Sequence, residues 1–162
     1  MNKKFNIQVL PLQDKLFRFA VSILKNTSNA EDALQEILEK LWKQKHELKK
    51  YDNIDAFAMK IMKNHCIDKL RQSKPQLEIN DSLLNETCEF EKQIATEDTA
   101  NIALKLIEHL PNMQQIIIKL RDVEGYDLDE IAQILEIKPN AVRTNLSRAR
   151  QTIREQLLKL EK

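Results

Sequence analysis

From Leu12 the apolar residues Leu16, Phe19, Ala20, Ile23 and Leu24 stand four, seven, eight, eleven and twelve positions on, which is one face of a helix beginning near Pro11. Ser28, three residues ahead of Glu31, offers a reciprocal capping box for a second helix. The inward stripe of that helix is Ala30, Ala33, Leu34, Ile37, Leu38, Leu41 and Trp42. Its other face carries Asp32, Gln35, Glu36, Glu39 and Lys43. A polar stretch, 43–53, precedes a third helix over about 55–72, with Asp55 as candidate cap and Phe57, Ile61, Ile67 and Leu70 as core contacts. Its remaining positions are mostly basic: Lys60, Lys63, Lys69, Arg71 and Lys74 face a single acid, Asp68. Plain solvation accounts for either polar face; so would a partner for the acidic one and phosphates for the basic one.

The pattern resumes at Ile102, Leu106 and Leu110, which line a helix ending before Pro111. That proline suits the first turn of the next helix, which carries Ile116, Ile117, Ile118 and Leu120. A turn around Gly125 leads to Asp127, a cap three residues ahead of Glu130, for a short helix with Leu128, Ile131, Ala132 and Leu135 inward. Glu136 to Lys138 form a brief turn before Pro139 opens the last helix, whose inward stripe is Val142, Leu146, Ala149, Ile153, Leu157 and Leu160. Two helices so spaced, with a small Ala132 at their crossing and Val142 ten residues later, have the pattern of a helix-turn-helix.

On the last helix, 100° of rotation per residue puts Asn140, Thr144, Ser147, Arg148 and Gln151 opposite the core, flanked by Arg143, Arg150 and Arg154. Five cations and no acid lie between Lys138 and Arg154. Short polar side chains among arginines suit the major groove, where Arg forks onto guanine and Asn onto adenine. A solvated basic helix is the alternative.

Composition sharpens the fold class. One glycine stands where about eleven would be average, so phosphate-wrapping glycine loops and the nucleotide chemistry that depends on them are excluded. With 5% aromatic residues and four prolines, the chain is expected to be all-α. Cys66 and Cys88 are too few for a disulfide scaffold and lie at no metal spacing, so two reduced thiols, no metal and no cofactor are expected. His65 and Cys66, adjacent on a helix, point about 100° apart. No apolar run reaches the ~18–20 residues of a membrane span and the start is too polar for a signal peptide, so a cytoplasmic protein with no membrane insertion is expected.

Net charge is +1, but it is unevenly distributed. Residues 1–74 hold fifteen Lys and Arg against nine acids, residues 75–98 hold one against seven, and residues 99–162 hold ten against nine. Two small helical domains, 1–74 and 99–162, joined by an acidic linker over 75–98, are therefore expected, the second containing the helix-turn-helix. Domains of this size are marginal alone, so docking onto a larger partner would add rigidity.

Three segments, AEDALQEILEKLW (30–42), AFAMKIMKNHCIDKLR (56–71) and LPNMQQIIIKLRDVEGYDLDEIAQILEIKPNAVRTNLSRAR (110–150), resemble the two modules of bacterial RNA polymerase sigma factors of the extracytoplasmic-function (ECF) group. The resemblance covers about 120 of 162 residues in order. It implies that the second helix docks on a coiled coil of the polymerase's largest subunit, which makes Asp32, Gln35, Glu36 and Glu39 candidate core-polymerase contacts. The third helix and the loop before it, 51–54, correspond to the part that melts the minus-ten element and holds an extruded base, with Lys60, Lys63, Asn64, Asp68 and Arg71 at exposed positions. The last helix corresponds to the reader of the minus-thirty-five element, with Lys138, Asn140, Arg143, Thr144, Ser147 and Arg148 as base and phosphate contacts. The resemblance further implies surfaces facing the upstream element, a linker threaded toward the RNA channel and a separate anti-sigma inhibitor. Phe57 stands where tryptophan is frequent in the family, and Glu136 where the helix-helix turn often has glycine.

Two other classes compete. A dimeric or sensory helix-turn-helix regulator would not bind core polymerase. An enzyme would need a carboxylate pair, a nucleophile elbow or a metal cluster, and none is evident, so no catalytic residue is expected.

Overall fold

The computed structural model describes residues 3–73 and 99–160, and every regular element among them is helical. The described residues fall into two compact units, 3–73 with 132–136, and 99–131 with 137–160. The expected acidic linker, Lys74 and Cys88 lie outside the described residues.

The first unit is built on α2 (Gln13–Leu24), α3 (Thr27–Lys43) and α4 (Ile54–Ser73), each packed on the other two. Leu16, Phe19, Ala20 and Ile23 of α2 and Ala30, Ala33, Ile37 and Leu41 of α3 are buried, as their spacing predicts. A short α1 (Lys3–Gln8) and a 3-10 turn (Leu10–Leu12) come first and bury Phe5 and Val9, a contribution that pattern analysis omits because it is too short for periodicity. Trp42 is not a core residue: it is 39% exposed, with Phe5 edge-on at 4.9 Å and the Lys45 ammonium 3.9 Å over its ring.

Two caps differ from expectation. Asn26, not Ser28, caps α3, its side chain accepting from the Asn29 N–H at 2.9 Å. Asn53, not Asp55, caps α4, accepting from the Ala56 N–H at 3.0 Å. Asp55 instead pairs with Lys15 at 2.9 Å, tying α4 to α2. The buried side of α4 also differs. Ala56, Ala58, Met59, Met62 and Cys66 are buried, whereas Phe57, Ile61, Ile67 and Leu70 are only half-buried, because apolar residues surround this helix and two neighbours cover it.

The second unit holds α5 (Thr99–Glu108), α6 (Asn112–Ile118) and α8 (Pro139–Leu160), with α5 and α6 packed on α8. Pro111 is the N-cap of α6, one position ahead of the first turn, and Ile116, Ile117, Ile118 and Leu120 are buried. α6 passes into a π-helical turn, Lys119–Val123, closed by the Glu124 N–H on the Lys119 carbonyl at 2.9 Å. Gly125 then takes φ +83, a left-handed conformation that costs glycine nothing. Asp127 and Glu130 make the expected reciprocal cap of α7 (Leu128–Leu135): the Glu130 N–H donates to Asp127 Oδ1 at 2.7 Å and the Asp127 N–H to Glu130 Oε1 at 3.3 Å. That Glu130 N–H holds the Asp127 carboxyl below its usual range. Glu136 adopts φ +57, so the missing glycine of this turn leaves strain of about 1 kcal/mol in the backbone. Val142, Leu146 and Ala149 of α8 are buried, but the stripe frays toward its end, where Leu160 is 43% exposed.

Candidate nucleic-acid interface

Lys138, Asn140, Arg143, Thr144, Ser147 and Arg148 are all exposed, the last five on the outer face of α8. The helix is anchored beneath them by Val142, Leu146 and Ala149, so the outer side chains share a rigid base. Arg143 donates to Asn140 Oδ1 at 3.1 Å, one turn away, which aligns a guanidinium with an amide on one surface. Asn145 turns inward, its amide donating to the Ala141 carbonyl at 2.8 Å. Arg150 is gripped by Asp122 of the π-helical turn, with Nη2 to Oδ1 at 2.6 Å, and this hydrogen bond raises the Arg150 pKa. No periodic signal links two residues 28 positions apart, so this contact was invisible in the sequence.

On α4 the expected residues separate. Asn64, Asp68 and Arg71 are exposed, Lys60 is half-buried, and Arg71 approaches Asp68 only to 3.9 Å. Lys63 is a correction: it is buried, at 5% exposure. Glu136, which clusters with the first unit, holds Lys63 and Lys60 at 3.3 Å each. Burial opposes ionisation of Glu136, but the Lys63 charge and the Lys60 hydrogen bond prevail and lower its pKa. In the loop before α4, the Tyr51 ring stacks on Phe57 at 3.7 Å and 16°, leaving Tyr51 40% exposed. Phe57 therefore serves as a platform rather than as core.

Asp32, Gln35, Glu36 and Glu39 are exposed together on α3. Glu36 reaches across to α4: Lys69 Nζ donates to Oε1 at 3.1 Å, and His65 Nε2 lies 2.7 Å from Oε2. Lys69's hydrogen bond holds the Glu36 carboxyl below the ordinary range. His65 thus faces a carboxylate rather than its neighbour Cys66, whose thiol is buried and pushed up to about 12. Among the described residues no group of His, Cys, Asp and Glu could hold a metal, and no helix is long and apolar enough to cross a membrane.

Residues 9–76 match the family model for sigma-70 region 2, and residues 100–153 the model for sigma-70 region 4. The RNA polymerase sigma factor SigV of Bacillus subtilis is 32% identical over 144 residues, covering 88% of this chain and 84% of SigV. The ECF sigma factor SigW of the same organism is 25% identical, covering 90% of this chain and 84% of SigW. This chain belongs to the ECF RNA polymerase sigma factors. The ECF sigma-E factor of Escherichia coli is similar too, 25% identical over 164 residues, with 93% of this chain and 85% of that factor covered. In fold, the chain is similar to the sigma factor RpoE of Bartonella quintana, solved with the anti-sigma factor NepR: TM-score 0.70, 23% identity, 99% of this chain and 100% of that one. ECF sigma factors bind core RNA polymerase and promoter DNA.

Proposed function

We propose that this chain docks on the largest-subunit coiled coil of core polymerase through Asp32, Gln35, Glu36 and Glu39 of α3, and reads duplex DNA of the minus-thirty-five element through the outer face of α8. Asn64, Asp68, Arg71 and Lys60, with Tyr51 stacked ahead of them, engage the minus-ten strand as it opens. Lys63, buried, is left out of that surface. Flipping a base costs a few kcal/mol, and an aromatic platform next to amide and guanidinium groups can recover part of it by stacking and hydrogen bonding. An anti-sigma protein is a further expected partner, in keeping with the anti-sigma factor NepR in complex with RpoE of Bartonella quintana.

The observation that carries this reading is the acid-free run of sequence from Lys138 to Arg154 on the outer side of α8, tethered in one chain to the acidic face of α3. Gel filtration with core polymerase tests it. The chain comigrates stoichiometrically, Glu36→Lys weakens comigration, and Arg148→Ala leaves comigration intact while weakening duplex binding. Equal loss of polymerase affinity in both variants contradicts the division of labour.

A further inference from the structure

Arg150 and Asp122 form a charge contact that the family assignment does not explain. On α8, Arg143, Arg150 and Arg154 fall within about 40° of one another along one edge of the outer face, while Arg148 lies on the other edge. The three arginines share an open cleft of about 460 Å³ with Ser147, Gln151 and Glu155, the last accepting from the Gln151 amide at 3.1 Å. Asp122 enters this edge from the π-helical turn. Arg150 Nη2 donates to its Oδ1 at 2.6 Å and Nε to its Oδ2 at 3.3 Å, a two-point fork. Both side chains are nearly half exposed, 48% and 43%, so the pair is solvent-screened and adds little to holding the unit together. Its consequence is electrostatic. A carboxylate forked to a guanidinium occupies two of its five N–H groups, offsets the charge that would attract a phosphate, and repels a phosphate oxygen approaching the same edge.

We propose that Asp122 is a specificity-determining residue of the duplex-reading helix. By holding Arg150 it removes one phosphate-binding cation from the edge shared with Arg143 and Arg154. Phosphate contacts raise affinity for every sequence alike, whereas base contacts discriminate. Withholding a cation at a position without base information therefore widens the ratio of specific to non-specific binding. Asn140, Thr144, Ser147 and Arg148 are left to decide where the helix settles. This inference rests on α8 being the duplex-reading helix.

The test is binding of the full-length chain to a fluorescein-labelled random-sequence duplex across a KCl series, with circular dichroism to verify folding. Asp122→Asn frees Arg150: affinity rises on the order of fivefold at 0.1 M salt, and the slope of log K against log salt steepens by about 0.9, one phosphate. The double variant Asp122→Asn/Arg150→Gln, which removes both charges while leaving polar side chains, returns to the original slope. Asp122→Asn with an unchanged slope, or with weaker binding and an intact fold, overturns the proposal. So does a double variant whose slope is shallower by about 0.9, because Arg150 would then already have been on a phosphate. Arg148→Ala separates the two failures. If it flattens the slope while Asp122→Asn does nothing, only the role of Asp122 falls; if no α8 substitution matters, the reading of α8 falls with it.

Discussion

Glu36 uses both carboxylate oxygens within the free protein, one on Lys69 and one on His65, although half of its side chain faces solvent. Its folded pKa is depressed, so whatever stability the contact adds is present above the unfolded glutamate pKa and is lost as pH falls through the lower folded value. Carboxyl NMR titration should find the Glu36 midpoint below that of an ordinary glutamate, and Lys69→Met should move it upward; an unmoved midpoint would remove Lys69 as the cause. The acidic face of α3 was legible from spacing, because an outward position on an amphipathic helix follows from its neighbours. That Glu36 is tied to α4 was not, since the partners lie 29 and 33 positions away and meet only through packing of the two helices. Lys63 failed for the same reason: a lysine on a basic stripe reads as solvated until another carboxylate is known to reach it.

Helix positions followed from apolar periodicity, and so did the Asp127–Glu130 cap of α7, but the caps of α3 and α4 did not. Asn26 and Ser28 are equally good caps by type, and the choice between them depends on where α2 stops. α2 stops at Lys25, whose φ of +56 places a side-chain-bearing residue in the left-handed region. Lys25→Gly relieves that strain at the cost of chain entropy, and thermal unfolding should report about 0.5 kcal/mol of added stability, or ~2–4 °C. A lower melting temperature would mean that the lysine side chain contributes more than its backbone costs. α4 marks the limit of pattern reading. Its buried apolar residues are Ala, Met and Cys, while larger apolar residues flank them, so a stripe drawn through the largest side chains rotates away from the true interior.

At the scale of the whole chain, stretches matched to two sigma regions lie on one polypeptide, with seven acids and one cation in the residues 75–98 between them. About four cations between Lys138 and Arg154 meeting phosphates would give a salt slope near −3.6, weak binding for one small module. A second contact on the same assembly raises the effective concentration of the first without any new interaction. Both surfaces were legible because each resides in a single helix with a regular polar face; the Asp122–Arg150 pair was not, because it joins a π-helical turn to a distant helix. The account as a whole is tested by runoff transcription from a library of upstream fragments, comparing core polymerase alone with core plus this chain. The chain should direct initiation at a discrete set of fragments that core alone leaves silent. Initiation no better than that of core alone on every fragment would contradict it.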